Sequence, residues 1–489
     1  MSFYGLDRAA LRLAGILFLF ALTAAFVWLM PAWMLTPDML PAFAAAILII
    51  GGFCFASSRS GDRGETQRRL TFLVWWVLLT SEEFFVRLNQ TEDTAQGNFA
   101  PEAYAEAMVW VLVFFGGAVL LLRRPGSLQG LWRGPMKWMP IYALLCVFSC
   151  AYAVQKSFSI AWTFKLCIVV FLLQLCRSQI QDERTLKMFL NATLWGVAFL
   201  TIVPPVRALF LAGPIFEDGR LGNSISPTGL SGIAGTLLLI ALAFQPMTGN
   251  RKAWFLGGAG AIVMFLAGGK TAIIAAVLSA MLFFLMQKRI GAATGVVAGV
   301  LVIGIAVISM TPVSGYLMNY ASGDAATVTA RSGLWAEAVP FIRSRPILGY
   351  GYASSRFISL QVGDVTWDPG HLHNGFLEAQ YNNGFLGLLV MLVIQGCIIG
   401  GVVRLVRDQT VNARMRALAI GCAAIYFNIL LNGMFNASFG GRAGGTFIVL
   451  LALLMLTERL TFLASRASAP AIAMEQAASQ PIFVTPRTA

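Results

Sequence analysis

The sequence predicts an all-α polytopic integral membrane protein, on the basis of its composition, its long apolar runs and the placement of its charges. Of the 489 residues, 58% are hydrophobic and 12% are charged, and the mean hydropathy is +0.74. A soluble domain carries roughly 25% charged residues, so this chain has too little polar surface to cover a water-soluble globule. The net charge of +13 would also suit a nucleic-acid-binding protein, so the location of the charges must decide.

Fourteen apolar runs are long enough to cross a bilayer, which takes about 20 mostly apolar residues. They lie at 11–30, 39–56, 70–86, 106–122, 138–154, 158–176, 186–203, 225–245, 252–268, 270–287, 290–310, 384–403, 416–437 and 444–460. Two runs are weak, because 70–86 ends in two glutamates and 444–460 starts in a glycine-rich segment. We therefore expect about 14 transmembrane helices, within a range of 12 to 14.

The charges between these runs predict that both ends of the chain lie in the cytoplasm. In this orientation the cytoplasmic segments hold 24 of the 35 Lys and Arg residues, as the positive-inside rule requires. Acidic residues divide the other way, with 14 of 22 outside. The excess positive charge faces the cytoplasmic leaflet, and no nucleic acid is expected as a partner.

The domain organisation follows from the same runs. We expect one multi-span membrane domain over 1–463, a long outer loop over 311–373 within it, and a disordered cytoplasmic tail over 464–489. The tail is rich in Ala, Ser, Pro and Thr, a composition typical of disorder. A loop of about 60 residues is uncommon in a compact architecture and is usually functional or disordered.

Within the long outer loop, the segment ARSGLWAEAVPFIRSRPILGYGY predicts a short amphipathic helix on the membrane surface. Its apolar residues recur at helical spacing, namely Leu334, Trp335, Ala338, Phe341 and Ile342. Ser332 is the expected N-cap, Pro346 the expected stop, and Trp335 is expected at headgroup level. Gly349 and Gly351 then permit a tight turn.

The chain has two histidines, His371 and His373, and both lie at the end of this loop. An imidazole titrates near neutrality, so it can accept a proton from a hydroxyl at working pH. Asn374 is placed to cap the following helix, whose first amides favour a nearby anion. Two loop histidines can also be ordinary solvated residues, and from position alone that interpretation stays open. No metal site is expected, because the spacing matches no common metal-binding pattern.

Ten cations on the outer side stand against the positive-inside bias. They are Arg87, Lys156, Arg207, Arg220, Lys270, Arg331, Arg343, Arg345, Arg356 and Arg442. Arg220 and Lys270 are expected at the outer membrane surface, where a lipid-linked phosphate would lie, although simple interfacial anchoring also accounts for either one. Lys165 lies inside a span, where it is functional, extends its ammonium to the interface, or is buried against a carboxylate.

At these residues the sequence resembles the O-antigen ligase and polysaccharide polymerase superfamily, most clearly over residues 200–400. The matching segments are RLGNSISPTGL, AGGKTA, RSGLWAEAVPFIRSRPILGYGY and HLHNGFLEAQYNNGFLG. The resemblance implies a GT-C-like glycosyltransferase with its active site on the periplasmic face of the bacterial inner membrane. The donor would be a glycan joined through pyrophosphate to undecaprenol, transferred with inversion and without cofactor or metal ion. The acceptor would be a growing glycan, a lipid A core or a protein hydroxyl, and other polysaccharide assembly proteins are possible partners.

The resemblance also implies roles for single residues. His373 matches the family's HN histidine and would accept the proton of the attacking hydroxyl. Arg331 matches the arginine before the loop helix and would hold the pyrophosphate, with Arg220 and Lys270 as further pyrophosphate-binding residues. Lys270 stands where the family usually has arginine, so it keeps the charge but lacks the bidentate fork.

A lipid-linked oligosaccharide flippase, or another transporter, is the main alternative from a different class, and a receptor-like membrane protein is a third. A transporter is expected to have related halves and intramembrane charge. Here the halves look unlike, and the polar residues gather in an outer loop. Within the superfamily, the GYGY and HLHN segments favour polymerisation slightly over ligation.

Overall fold

A computed structural model describes most of the chain, with gaps at both ends and in several loops. The described residues are 63–81, 101–123, 128, 130–208, 216–217, 220–221, 227–310, 324–358, 371–436 and 438–479. The expected spans 11–30 and 39–56 lie outside them. The same holds for 311–323 and 359–370 of the long outer loop.

The described part of the chain is mainly helical. Its α-helices are α1 (Arg63–Thr80), α2 (Pro101–Arg123), α3 (Trp138–Ser149), α4 (Lys156–Gln179), α5 (Glu183–Ala208), α6 (Pro227–Thr248), α7 (Lys252–Leu266), α8 (Lys270–Met286), α9 (Ile290–Met310), α10 (Asp324–Ser344), α11 (Gly375–Arg407), α12 (Ala413–Gly433) and α13 (Gly445–Ser479). Short 3₁₀ turns lie at Pro135–Lys137 and Ser354–Phe357. Strands β1 (Phe216–Glu217) and β2 (Arg220–Leu221) form an antiparallel pair.

Among the described helices, six are long and apolar enough to cross a membrane. They are Lys156–Gln179, Glu183–Val206, Pro227–Thr248, Gly375–Arg407, Ala413–Gly433 and Gly445–Arg466. Four shorter apolar helices accompany them, at Glu106–Leu122, Lys252–Leu266, Lys270–Met286 and Ile290–Ala306. The chain is therefore a mostly helical, multi-pass membrane protein, as its composition predicts. The count of fourteen spans and the cytoplasmic location of both ends stay predictions.

Helix α6 lies in the middle of the bundle and contacts α5, α7, α8, α12 and α13. Small residues bring α7 close to it: a Cβ on Gly260 would stand 2.9 Å from the carbonyl oxygen of Ala234, and one on Gly257 would stand 3.0 Å from the Cβ of Ala241. Lipid tails are as apolar as these side chains, so close packing rather than hydrophobicity drives such contacts in a bilayer.

Hydrogen bonds join helices and loops that lie on the same expected side. On the side expected to be cytoplasmic, Arg177 Nε donates to Glu458 Oε1 at 2.6 Å, and Arg177 Nη1 donates to the carbonyl of Gly130 at 3.0 Å. On the other side, Ser159 Oγ donates to the carbonyl of Tyr352 at 2.6 Å.

Helix α11 is broken at Gly384, whose φ of +61° suits glycine. The break frees the carbonyls of Tyr381 and Asn382, which accept hydrogen bonds from the amides of Tyr350 and Gly351 at 2.9 and 2.8 Å. The first amides after the break donate to the same loop in return. The loop thus replaces hydrogen bonds that a continuous helix would have made, and it is held against the start of α11.

The loop helix α10 differs from its expected limits. It begins at Asp324, so Ser332 lies inside the helix and the expected N-cap at Ser332 is wrong. The residues before Ser332 continue the helix because nothing in DAATVTA breaks it, and the acidic Asp324 suits a helix start. The end at Ser344 lies two residues before Pro346, which agrees with the expected stop.

The apolar side of α10 faces the protein, whereas we expected it on the membrane surface. Leu334, Ala338 and Ile342 are buried in a small separate cluster that includes Leu372 and Tyr381. Helix α10 is therefore fastened to the histidine segment and to α11.

The last helix also passes an expected limit. Helix α13 continues to Ser479, beyond residue 464, where the tail was expected to begin. Residues 480–489 lie outside the described part of the chain.

Candidate functional site

Asn374 begins the helix that carries the candidate site. Its backbone is extended, and its side-chain Oδ1 accepts hydrogen bonds from the amides of Phe376 and Leu377 at 3.0 and 3.1 Å. This arrangement satisfies amides that have no partner inside the helix. The structure shows the capping expected of Asn374, and its part in anion binding stays a prediction.

The two histidines form one tight turn before this cap. Their ring centroids are 3.9 Å apart, and the amide of His373 donates to Nδ1 of His371 at 3.2 Å. The φ of His373 is +52°, a left-handed conformation that is uncommon for residues other than glycine, although Asn, Asp and His are enriched in it. Between them, Leu372 is held at both backbone groups, since its amide donates to Glu378 Oε1 at 3.0 Å and its carbonyl accepts from Trp335 Nε1 at 2.8 Å. The turn is therefore fixed from two helices, α10 and α11.

The surroundings keep both histidines neutral. Burial, followed by the charge of Arg331, lowers the pKa of His373 to about 4. The pKa of His371 also lies well below its usual value, first because of burial and then because of His373, Arg442, Arg356 and Arg331. A neutral imidazole keeps a ring nitrogen that can accept a proton. An anion bound nearby would raise the proton affinity of the ring, because it favours the charged form.

Arg331 approaches the histidine turn from α10. It lies one helical turn before Trp335, whose indole is bonded to the carbonyl of Leu372. Residues four apart share a helix face, so Trp335 also directs Arg331 towards the turn. The charge of Arg331 acts on His373, whose pKa it lowers, and the catalytic roles expected of the two residues stay predictions.

Two further arginines act on the turn, because their charges contribute to the lowered pKa of His371, and each lies over an aromatic ring of α4. The guanidinium carbon of Arg442 lies 5.3 Å from the ring centre of Trp162, and that of Arg356 lies 5.7 Å from Phe158. The two aromatic residues are themselves in contact, with centroids 6.1 Å apart. Stacking holds a guanidinium plane in place while leaving its edge for other contacts.

Asn382 joins the loops that carry these two arginines. Its Oδ1 accepts from the amide of Ser355 at 2.8 Å, beside Arg356, and its Nδ2 donates to the carbonyl of Gly440 at 3.1 Å, near Arg442. Asn382 is buried on the first turns of α11. One short stretch of α11 thus positions the histidine turn and both arginine loops.

Arg220 and Lys270 are placed by other elements. Arg220 lies in β2, which contacts α7, and its neighbour Leu221 is buried. Lys270 is the first residue of α8. The roles of Arg220 and Lys270 in pyrophosphate binding stay predictions.

A series of contacts nevertheless leads from Lys270 to Asn374. Gly269, which precedes Lys270, accepts a hydrogen bond from Ser231 Oγ of α6 at 3.5 Å. Gly232, the next residue of α6, packs on Asn432 near the end of α12. The carbonyl of Met434 then accepts from Asn374 Nδ2 at 3.2 Å. These helix ends lie on one side of the bundle.

Lys165 lies beneath the arginines and is paired. Its Nζ is 3.5 Å from Glu106 Oε1, and the two side chains are 0% and 3% exposed. The rings of Trp110 and Trp162 both lie 4.9 Å from the ammonium. Of the two alternatives for Lys165, burial against a carboxylate is the one that the structure shows.

Sequence reasoning assigned no role to Glu378 or Asn382, and it counted Arg356 and Arg442 only among the outer cations that, with the histidines, suggest a site for a phosphorylated lipid. The signal that could have pointed to Glu378 and Asn382 is polarity inside an otherwise apolar helix start. The convergence of the two arginines depends on loop folding, which sequence periodicity does not reveal. In the part of the chain that the structure describes, no three His, Cys, Asp or Glu residues are grouped so that they could hold a metal ion.

The comparisons with known proteins cover the segment that holds the histidines. Residues 255–392 match the family described as O-antigen ligase, a segment that runs from α7 into α11 and includes Lys270, Arg331 and His373. The chain is also similar to the exopolysaccharide production protein ExoQ of Rhizobium meliloti (strain 1021), with 25% identity over 128 residues. That similarity covers 24% of this chain and 29% of the relative. Both matches agree with the resemblance to the O-antigen ligase and polysaccharide polymerase superfamily, and each covers less than a third of the chain.

Proposed function

We propose that this protein is a membrane glycosyltransferase that moves a glycan from undecaprenyl pyrophosphate to an acceptor hydroxyl. The observation that carries the proposal is the neutral His373 beside Arg331, fixed at a capped helix start within the segment that matches the O-antigen ligase family. A base next to cationic groups is the combination that displacement of a pyrophosphate by a hydroxyl requires.

In this reaction the acceptor hydroxyl attacks the anomeric carbon on the face opposite the pyrophosphate. A new carbon–oxygen bond forms as the bond to the pyrophosphate oxygen breaks, and the configuration at this carbon is inverted. His373 takes the proton of the attacking hydroxyl and later passes it to solvent. Undecaprenyl pyrophosphate leaves with the electron pair of the broken bond.

Charge stabilisation would come from the side chains around the turn. Negative charge grows on the pyrophosphate as its bond to the sugar breaks, so groups that bind it more tightly in the transition state lower the barrier. Arg331 is the cation whose charge lowers the pKa of His373, and Arg220 and Lys270 are assigned to the same leaving group. The N-terminal end of α11, beside Asn374, adds the partial positive charge of the helix dipole. These groups supply the positive charge, so we assign no metal ion to the step.

The site would face the periplasm, with the protein in the bacterial inner membrane. This assignment is supported by the positive charge of the opposite loops and by the family match. The relative is named for exopolysaccharide production. We therefore assign the acceptor as the growing glycan of a surface or exopolysaccharide, and place ligation to a lipid A core second.

The test is a transfer assay with the purified full-length protein. Undecaprenyl-pyrophosphate-linked oligosaccharide is supplied with and without a lipid A core acceptor, and products are resolved by gel and mass spectrometry. A ladder of longer lipid-linked glycans without added acceptor would identify a polymerase. A single product that appears only with the core would identify a ligase.

Matched variants separate chemistry from loss of folding. His373→Ala and Arg331→Ala are expected to lower kcat by roughly 10²- to 10³-fold, the usual cost of losing a catalytic base or a charge-stabilising group. Arg343→Ala removes an exposed arginine from the same helix and is expected to keep wild-type activity. If verified native donor gave no product with the wild-type protein, the transferase assignment would fail, and flipping of the donor across vesicles would be measured instead.

A further inference from the structure

Glu378 is a buried carboxyl group that the proposed reaction does not use. It lies in the first turn of α11, is 1% exposed, and its Oε1 accepts a hydrogen bond from the amide of Leu372 at 3.0 Å. Among the residues that the structure describes, no hydrogen-bond donor reaches its Oε2. Burying a carboxyl group is costly unless its contacts repay the lost hydration. Packing alone therefore does not account for a carboxyl group at this position.

The second oxygen of Glu378 lies against the loop that carries Arg442. A side-chain carbon on Gly441 would collide with Oε2, so the carboxyl and the loop backbone are in close contact. Gly441 immediately precedes Arg442, which is stacked on Trp162. A single carboxyl group thus touches the histidine turn through one oxygen and an arginine loop through the other.

Glu378 is not required to start the helix. Asn374 already caps α11 by accepting from two amides. The arginine loop is also held independently, through the bond from Asn382 to the carbonyl of Gly440. What Glu378 adds is the fixed position of the Leu372 amide, and hence of the two imidazoles on either side of it.

We propose that Glu378 is a positioning residue for the proton acceptor. Its hydrogen bond to the histidine turn holds the acceptor at a set distance from the loop that carries Arg442. This inference rests on the proposed function, because it takes His373 as the base. A displacement of about 1 Å in a catalytic group can cost roughly 10²-fold in rate. Loss of this bond should therefore lower kcat while donor binding is kept.

The experiment compares the full-length wild-type protein with three variants at Glu378 and one control variant at Glu337. Glu378→Ala is expected to lower kcat by about 10- to 100-fold, with the donor KM within about threefold of wild type. Glu378→Gln keeps an oxygen at the same reach, so it is expected to restore kcat to within about fivefold. Glu378→Asp is one carbon shorter and is expected to lose about as much as alanine. Glu337→Ala removes an exposed carboxyl from α10 and is expected to behave as wild type.

A role that is merely structural would give a different result. Because Glu378 acts through His373, adding Glu378→Ala to His373→Ala is expected to cause no further loss of kcat. If Glu378→Ala does not fold, the difference in kcat between Glu378→Gln and Glu378→Asp tests the proposal instead. The proposal is overturned if Gln loses as much as Asp, if alanine keeps wild-type kcat, or if its effect persists in full without His373.

The two proposals fail in distinguishable ways. If the wild-type protein transfers glycan and His373→Ala does not, while every variant at Glu378 stays active, only the positioning role is refuted. If the wild-type protein itself gives no transfer from verified donor, the proposed function fails, and the positioning role fails with it.

Discussion

Lowering the pH of the transfer assay tests the electrostatics of the histidine turn. Burial and Arg331 lower the pKa of His373 to about 4, which means that the folded protein disfavours the protonated ring. The base is then fully available above about pH 5 and is lost only as the pH falls through about 4. A histidine with an ordinary pKa of about 6.5 would already be roughly 90% protonated at pH 5.5.

The assay is kcat/KM at pH 7.5 and at pH 5.5, because this ratio reports the ionisation of the free enzyme. With a pKa of about 4 the loss between these values is only a few per cent, whereas an ordinary histidine would lose about tenfold. The rings of His371 and His373 are 3.9 Å apart, so the observed acid limb belongs to the pair. The pKa values of both are lowered, and the expectation is the same for either assignment.

A tenfold fall of kcat/KM between pH 7.5 and 5.5 would refute the reasoning. Arg331 provides an internal control, because its positive charge is the second cause of the low pKa of His373. Arg331→Gln should move the acid limb to higher pH, and Arg331→Lys should leave it in place. An unmoved limb in Arg331→Gln would show that Arg331 does not act on the histidine.

The remaining predictions concern stability and follow from single contacts. Gly384→Ala should destabilise the protein by at least about 2 kcal/mol, because the left-handed backbone disfavours a side chain and the new carbon would meet a loop carbonyl. Gly396→Ala is the control, because Gly396 lies in open space on the same helix, and it should leave stability unchanged. Thermal unfolding in detergent compares the two variants. Glu106→Gln should cost about 3–5 kcal/mol by leaving Lys165 buried without its counter-charge, and a midpoint within a degree of wild type would contradict this. Asn374→Ala should lose a cap worth about 1 kcal/mol. Asn374→Asp should keep the stability but lose glycan transfer, because a carboxylate repels the anionic donor. Equal activity in Asn374→Asp and the wild type would argue against anion binding at this position.

The apolar runs and local capping signals were sufficient to predict much of the fold. Most runs from 138 onwards coincide with helices to within several residues, because an apolar stretch in lipid must satisfy its backbone hydrogen bonds internally. The exceptions are α11, which begins nine residues before the run 384–403, and α13, which ends nineteen residues after the run 444–460. The cap at Asn374 was also predictable, because it depends only on the next three residues. Ser332 was the wrong cap because a helix can extend upstream wherever nothing stops it.

The candidate site was predictable only in part. The pairing of His373 with Arg331 was expected from motif order alone. The approach of Arg356 and Arg442 was not, because each depends on a loop bond to Asn382 from a distant part of the sequence. The break at Gly384 was also missed, although it creates the backbone groups that hold the loop.

The most direct test of the transferase assignment is the release of undecaprenyl pyrophosphate during glycan transfer. The purified protein is mixed with labelled donor, and both products are counted in one time course. The account predicts that one undecaprenyl pyrophosphate is released for each glycan transferred, and that His373→Ala stops both together. Donor that moves across the membrane with its pyrophosphate bond intact would contradict the account.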